Sequence, residues 1–580
     1  MSLVAERAGI AGQRSARARV LGRLLAAIAV SGVAVGLFAC YLRLSATFAT
    51  GSDGASNALE AWDLLHGNWL LRGWTLTDVS FYTTELPEYA LVELARGLRP
   101  DVVHISAAIT YTLLVVTAAL LARGRARGGE GWARALIAAG IMLAPQLGNG
   151  VQVLLAQPDH VGTQVLLLVI FLLVDGAPRR WHTVAAVGAL LTVAVVADKI
   201  AIVDAAVPLA FAAGLHAIWA GTARSGWRTE RGLRGQWFEL ALVAAAGCAV
   251  GAGQLITAGI GRFGGFVLLP VVSGMVTPGH VPGHLLMAAR DTLNLFGADA
   301  GVAAAGPPTV FAWLHAPGTA LAAAAFVLAV WRVPCRDDLV SDLLAVGLVV
   351  NLAGFVASVI PSTPFDAREL AAALPSGAVL AGRVWGPWVA RAWAACGWQG
   401  ARGVQGWQGA RSWRSRVGPG LVVLALALAG GCQLAALGYE VTRPAAVSPE
   451  QGLATWLAAH HLTTGLGTYT EDNVTTLDSG GAVRMLTVAW RPQARGGTVV
   501  RLYQSSASWY DRRTAYANFV VTGPADGTAD LIPQAEILAL AGAPARSYRF
   551  ESFTIMVWNE NLLALLRTPP SRTPGVIGHS

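Results

Sequence analysis

Residues 51–89 read GSDGASNALEAWDLLHGNWLLRGWTLTDVSFYTTELPEY, a polar stretch between two long apolar runs. Carboxylates stand in it among tryptophans and tyrosines, at Asp53, Glu60, Asp63, Asp78, Glu85 and Glu88. The flanking runs predict membrane helices, so these acids are expected just outside a bilayer. Acidic side chains in that position suit sugar transfer or the handling of cations.

The composition is that of a polytopic α-helical membrane protein. The chain has 580 residues, of which 54% are apolar and 13% charged, whereas soluble domains carry about 25% charged residues. Apolar runs near the spanning length predict about eleven transmembrane helices. They cover residues 20–42, 102–121, 133–155, 161–174, 183–197, 202–218, 238–257, 310–330, 343–360, 370–388 and 420–437.

Arginines concentrate in alternate loops between these runs, as in the group Arg123, Arg125, Arg127 and Arg134. Because basic residues resist translocation, such loops are expected in the cytoplasm. The chain is therefore predicted to be a multi-pass plasma-membrane protein with a cytoplasmic N-terminus and an extracytoplasmic C-terminus. The net charge of +8 comes from loops that meet anionic lipid headgroups, so it does not indicate nucleic-acid binding.

Composition divides the chain into a transmembrane body over residues 1–440, with an extracytoplasmic first loop at 43–101, and a small extracytoplasmic α/β domain over 441–580. In that domain, residues 452–462 and 560–566 predict helices. β-Branched and aromatic content predicts strands. The predicted strands are VTTLDSG (474–480), AVRMLTVAW (482–490), GTVVRLYQSS (497–506), YANFVVTG (516–523) and SFTIMVW (552–558).

Asp53 and Arg368 are the leading candidates for chemistry. Asp53 follows the first apolar run, where it either caps the next helix or faces a cavity at the lipid headgroups. Arg368 lies in STPFDARELAAALPSG, a short outer loop where arginine runs against the topological rule. It is expected to pair locally with Asp366 or Glu369, to bind a lipid phosphate, whose oxygens match a guanidinium at two points, or to do both.

Further candidates stand at the predicted outer ends of helices, each with a structural alternative. Asp159 and His160 could bind a divalent cation or the sugar, although no spaced metal ligands accompany them, or they form a turn that caps the fourth span. Asp198 and Lys199 pair with each other or contact the substrate. Glu85 and Glu88 bind substrate or cap a helix, Tyr82 stacks on a sugar or anchors the interface, and Glu60 and Asp63 form a solvated helix face.

The segment SDGASNALEAWDLLHGNWLLRGW, the many spans and the terminal exported domain resemble the GT-C superfamily of membrane glycosyltransferases. Within it, the chain looks most similar to actinobacterial proteins of the protein O-mannosyltransferase and aminoarabinose-transferase group. In those families the first outer loop carries a catalytic Asp, which matches Asp53, although Gly54 replaces the second acid of a pair. The resemblance also implies a catalytic role for Asp159 and a donor-phosphate role for Arg368.

The resemblance implies transfer of a sugar from a polyprenyl-phosphate donor to an exported protein or a cell-envelope glycan at the outer membrane face. The expected partners are the lipid-linked sugar, that acceptor and membrane lipid. The reaction is expected either to need no cofactor or to be assisted by a divalent cation. The alternative is a non-catalytic scaffold that binds lipid or glycan, or a flippase or transporter of lipid-linked sugars, although no two-half symmetry is visible in the sequence.

Overall fold

The computed structural model describes residues 28–146, 152–156, 159–223, 230–270, 274–301, 306–333, 338–395, 414–490, 498–500, 502–523 and 533–566. The beginning of the predicted first span, residues 20–27, lies outside them. The helices of the body are α1 (Ile28–Ser45), α2 (Ser52–Leu65), α3 (Glu85–Arg96), α4 (Asp101–Arg123), α5 (Gly128–Met142), α6 (Gln152–Leu155), α7 (Val161–Gly176), α8 (Trp181–Ala197), α9 (Val207–Ala223), α10 (Glu230–Arg262), α11 (Val281–Leu295), α12 (Pro307–Arg332), α13 (Leu339–Ala357), α14 (Ala373–Ala395) and α15 (Arg414–Thr442).

Among the described residues, seven helices are long and apolar enough to cross a membrane. They are α1, α4, α9 with the π-helical turn Ile202–Ala206 before it, α10, α12, α13 and α15. The predicted fourth and fifth spans are the shorter apolar helices α7 and α8. The remaining two predicted spans fall on α5 and α14. The chain is a multi-pass membrane protein.

The predicted span 133–155 is wrong as a single helix. Helix α5 ends at Met142, and the chain resumes as the four-residue helix α6 at Gln152. Pro145 follows α5, and proline both lacks an amide donor and disfavours helical geometry in the residue before it. Residues 143–146 therefore leave the helical path, and Asp159 lies two residues before the start of α7.

Helix α4 lies at the centre of the body, where it packs against α5, α7 and α14. Near the middle of α4, Tyr41 and Tyr111 meet edge to face with ring centroids 4.8 Å apart, and the Tyr111 hydroxyl donates to the Met142 carbonyl at 2.9 Å. Near the C-terminal end of α4, buried Arg383 binds Asp175 at 3.1 Å, Asp338, and the carbonyl of Leu121 at 2.8 Å. These contacts hold α4 against its neighbours in the bundle that carries the first loop.

The first loop forms a folded layer in which α2 packs against α3. Glu60 is not solvated, contrary to the sequence prediction, whereas Asp63 is partly exposed. Glu60 is 2% exposed, and burial raises its pKa well above the usual value. Asp63 accepts hydrogen bonds from Trp74 Nε1 at 2.7 Å and from Asn68 Nδ2 at 2.6 Å. The carboxylate of Asp63 thereby holds the fold of the loop.

The C-terminal domain contains β3 (Thr464–Gly467), β4 (Arg484–Trp490), β5 (Thr498–Val500), β7 (Phe519–Thr522), β8 (Arg546–Phe550) and β9 (Phe553–Val557). They form one mixed sheet in the order β5-β4-β3-β7-β9-β8, with β3 parallel to both its neighbours. The domain also contains helices α16 (Pro449–Ala459), α17 (Tyr469–Asp478) and α18 (Gln534–Ala541). This confirms the small α/β domain.

Two predicted elements of this domain are wrong. VTTLDSG is not a strand, because its first five residues end α17, which packs against α2. Glu471 and Asp472 in the first turn of α17 favour a helix, since acidic side chains offset the positive end of the helix dipole. ENLLALL, predicted as a closing helix, contains only the 3₁₀ turn Leu562–Ala564.

A second, three-stranded sheet joins the domain to the body. Strand β1 (Trp74–Leu76) of the first loop lies between β2 (Val267–Leu268), which follows α10, and β6 (Ser505–Ser506) of the C-terminal domain. The pairing is parallel with β2 and antiparallel with β6. Ala507 also donates its amide to the Gly73 carbonyl at 2.8 Å. The domain is therefore held directly over the first loop.

Candidate active site

Arg368 is the meeting point of the candidate site. Its Nη1 lies 3.2 Å from Asp159 Oδ2 and 4.0 Å from Asp53 Oδ2, and its Nε lies 3.6 Å from Glu369 Oε1. The three residues predicted to carry catalysis and phosphate binding therefore come together, from three distant parts of the chain. Burial opposes the charge of Arg368, but the surrounding carboxylates raise its pKa well above the usual value.

The local fold explains why Arg368 faces inward. It sits on the 3₁₀ helix Pro364–Leu370, which begins with a capping box between Thr363 and Asp366. The carboxylate of Asp366 accepts from the amides of Ser362 at 2.8 Å and Thr363 at 2.6 Å. Asp366 is thus occupied by the cap and is not the partner of Arg368, whereas the predicted local pairing with Glu369 is present.

Asp53 lies in the first turn of α2, whose N-cap is Gly51, so the prediction that Asp53 caps this helix is wrong. Its Oδ2 faces Arg368, and its Oδ1 accepts a hydrogen bond from the hydroxyl of Tyr469 in the C-terminal domain. The side chain is 24% exposed. Asp53 is therefore an accessible carboxylate. Its Oδ1 faces the C-terminal domain, and its Oδ2 faces the helical body.

Asp159 is the buried partner of this pair, 7% exposed just ahead of α7. Burial and the nearby Asp53 carboxylate raise its pKa, while Arg368 and His160 act in the opposite direction. Asp159 Oδ2 accepts its hydrogen bond from Arg368 at 3.2 Å. The predicted alternative, that Asp159 serves as a cap for α7, is wrong because the N-cap position belongs to His160, which makes no side-chain cap bond.

His160 links the site to the end of α8. Its Nδ1 lies 2.6 Å from Asp198 Oδ2, and its Nε2 lies 3.7 Å from Glu369 Oε1. Burial disfavours the imidazolium, but these two carboxylates raise the His160 pKa well above its usual value. Asp198 therefore pairs with His160, and its predicted pairing with Lys199 is wrong: Lys199 forms no ion pair with any residue that the structure describes.

Glu85 and Glu88 begin α3 without capping it through their side chains, contrary to the capping prediction. Glu85 Oε1 accepts from the amide of Thr163 at the start of α7 at 3.2 Å, and Thr84 donates to its other oxygen. Burial, with a contribution from Asp198, raises the Glu85 pKa to about 8. Glu88 accepts from Thr110 at 2.9 Å, and burial raises its pKa to about 7. Glu85 thus borders the site.

Tyr82 packs within the first loop. Its hydroxyl donates to the carbonyl of Trp69, and its ring centroid lies 5.4 Å from that of Phe266. Burial raises its pKa. These contacts assign the ring to the packing of the loop around β1 and β2, so its sugar-stacking role stays a prediction.

Sequence reasoning missed three contributors. Tyr469 stands 416 positions from Asp53, and only the docking of the C-terminal domain joins them. Glu369 was considered only as a local partner of Arg368, yet it also faces His160. Asp78 of the opening segment also lies near these groups. Burial and the charge of Glu369 raise the pKa of Asp78, whereas His160 and Arg368 act in the opposite direction.

The arrangement combines a partly exposed carboxylate with a guanidinium that has donors to spare. Arg368 Nη1 donates one hydrogen bond to Asp159. The Nε of Arg368 is buried and makes no hydrogen bond to the residues described. A guanidinium has five donors in a planar fork that matches phosphate oxygens. In the described part of the chain, no three His, Cys, Asp or Glu side chains are grouped to hold a metal ion.

No protein-family model and no curated protein sequence matches the chain. Among solved structures, ArnT from Cupriavidus metallidurans in the apo state matches with 14% identity and a TM-score of 0.50, over 93% of this chain and 98% of that chain. ArnT bound to undecaprenyl phosphate matches with 13% identity and a TM-score of 0.48, over 93% and 99%. The oligosaccharyltransferase AglB from Archaeoglobus fulgidus, in complex with an inhibitory peptide and a dolichol-phosphate, matches with 13% identity and a TM-score of 0.45, over 84% and 69%.

The likeness to apo ArnT extends over almost the whole of both chains, so it includes the helical body and the C-terminal domain. At this identity it concerns the fold and not the chemistry. The chain therefore shares the overall fold of ArnT.

Proposed function

We propose that the protein is a membrane glycosyltransferase that moves a sugar from a polyprenyl-phosphate donor to a hydroxyl of an exported protein or cell-envelope glycan. One observation carries the proposal: Arg368 lies between Asp53 and Asp159, at 4.0 and 3.2 Å. A partly exposed carboxylate beside a guanidinium supplies a base for an acceptor and a cation for a phosphate leaving group.

In this mechanism Asp53 takes the proton of the acceptor hydroxyl as its oxygen attacks the anomeric carbon of the sugar. The new bond joins the acceptor oxygen to that carbon, and the bond from the carbon to the phosphate oxygen breaks. The phosphate leaves with the electron pair, and Arg368 stabilises its charge. Asp159 keeps Arg368 in place through their 3.2 Å contact.

The position of the site supports a lipid-linked donor. Arg368, Asp53 and the C-terminal domain lie at the end of the bundle opposite the Arg383 cluster. Arginine-rich loops such as 123–134 favour the Arg383 end as the cytoplasmic one, so the site would open outside the plasma membrane. Nucleotide sugars are not expected there. The proposal includes a divalent cation as a possible cofactor of the transfer. Loss of sugar transfer on chelation would support that cofactor.

The experiment measures sugar transfer by the full-length protein in membranes, with a panel of radiolabelled polyprenyl-phosphate sugars. Asp53→Asn should lower transfer by about 100-fold or more, the range of a lost general base. Asp511→Asn, at an exposed carboxylate of the C-terminal domain, is the control and should match the parent. Transfer by Asp53→Asn at the parent's rate would rule out Asp53 as base, and no transfer by the parent with any donor would favour the scaffold or flippase.

A further inference from the structure

The C-terminal domain contacts the proposed base directly. The hydroxyl of Tyr469, the first residue of α17, donates to Asp53 Oδ1. Beside this contact, Ser52 donates its hydroxyl to the Thr470 carbonyl at 2.8 Å. The first turns of α2 and α17 therefore meet through two hydrogen bonds, one of which ends on the carboxylate itself.

The position of Tyr469 is fixed from its other side as well. The side chain of Gln504 contacts the same hydroxyl, and the ring of Tyr503 meets the Tyr469 ring edge to face at 4.7 Å. Gln504 is buried with a φ of 44°, a region that residues other than glycine rarely adopt. It precedes β6, whose pairing with β1 holds this turn against the first loop. Strained backbone of this kind is frequent beside functional sites.

The chemistry of the phenol makes it a donor to Asp53. Burial, and after it the negative charge of Asp53, raise the pKa of Tyr469 well above its usual value, so the hydroxyl keeps its proton. The single phenol proton goes to the charged carboxylate, which is a stronger acceptor than the amide oxygen of Gln504. With Oδ1 held in this way, Oδ2 is the oxygen directed at Arg368.

We propose that Tyr469 is a positioning residue, through which the C-terminal domain orients the carboxylate of Asp53 toward Arg368. The inference rests on the proposed function, since it concerns the base of that reaction. The charged and titratable groups that face Asp53 are Arg368, Asp159 and Tyr469, each from a different element. Removing the Tyr469 hydroxyl alone deletes a donor that favours the ionised carboxylate.

The test compares Tyr469→Phe with the parent in the full-length protein, by the pH profile of kcat/KM for transfer. We expect a fall of about tenfold or more, as for a lost hydrogen bond to a charged group, and an acidic limb moved to higher pH. Tyr516→Phe is the matched control, because its hydroxyl donates to Asn559 within the C-terminal domain. A Tyr469→Phe profile that superimposes on the parent's would overturn the inference.

A double-mutant cycle on thermal unfolding, with Asp53→Asn, Tyr469→Phe and both together, needs no activity. Coupled effects on the melting temperature support the contact, and additive effects refute it. If the parent transfers no sugar, the proposed function fails, while this cycle still decides whether Tyr469 holds Asp53.

Discussion

Arg368 Nη1 lies 3.2 Å from Asp159 Oδ2, although 209 positions separate the two residues. Asp159 comes from the segment that begins α7, and Arg368 from a 3₁₀ helix ahead of α14. Because Asp159 is buried and the guanidinium is 35% exposed, the pair joins the interior of the bundle to the accessible carboxylate of Asp53. The site depends on this pairing across the bundle.

Arg368→Lys tests the need for a planar fork of donors. Lysine keeps the charge but offers a single ammonium, so it cannot hold Asp159 and a phosphate at two points. We expect kcat/KM for the donor to fall about tenfold or more, because hydrogen bonds to charged groups are lost. Arg290→Lys, at the exposed pair with Asp299, should leave transfer unchanged. Equal donor kinetics in the parent and Arg368→Lys would contradict the phosphate role.

His160→Gln tests the charged histidine between Asp198 and Glu369. The folded pKa of His160 is raised, so its imidazolium stabilises the fold below the ordinary pKa of about 6.5. That contribution is lost as pH rises through the higher folded pKa. The melting temperature of His160→Gln should therefore fall furthest below the parent's at about pH 6 and approach it at alkaline pH. Exposed His182→Gln is the control, and a pH-independent difference would contradict the ion pair.

Glu85→Gln tests a buried acid whose folded pKa is also raised, so its contribution is likewise lost as pH rises. The Glu85 pKa is raised to about 8 in the folded protein. The protonated Glu85 carboxyl stabilises the folded state below the unfolded pKa of about 4.3. This contribution is lost as pH rises toward the folded pKa. The parent should lose more thermal stability than Glu85→Gln between about pH 5 and pH 8. Exposed Glu560→Gln should follow the parent, and parallel curves for Glu85→Gln would show that no buried ionisation is present.

Gly73→Ala tests the sheet that joins the two parts of the molecule. Gly73 has a φ of 84°, and a Cβ there would lie 3.1 Å from Ser506 Oγ of β6. Gly67 has a φ of 94° with nothing within 4 Å of such a Cβ, so Gly67→Ala isolates the backbone strain, about 1–2 kcal/mol. We expect Gly73→Ala to lower the melting temperature more than Gly67→Ala. Equal losses of melting temperature in the two variants would show that the contact between β1 and β6 adjusts to the extra Cβ without loss of stability.

The sequence predicts the class of this fold because each membrane span is recognised from the hydropathy of its own residues, and its orientation from the arginines in the adjoining loops. It also predicts that Asp53, Asp159 and Arg368 matter, since charged residues beside membrane spans are few. It fails where tertiary contacts override local preference. The strand β3 has the sequence TGLG, which gives no strand signal, yet a Cβ at Gly465 would come within 2.1 Å of Phe519. Tyr469 begins α17, a helix that the sequence analysis did not predict, so its place in the site could not be foreseen.

In the order of synthesis, Tyr469 follows all the membrane helices that the structure describes. Its contact with Asp53 can form only after α15 has been inserted and the C-terminal domain has reached the same side as the first loop. A nascent or truncated chain that ends between Arg368 and Tyr469 has Asp53 and Arg368 but lacks the third partner. Completion of this cluster is thereby tied to completion of membrane insertion, so partly assembled molecules lack the contact that holds Asp53 Oδ1.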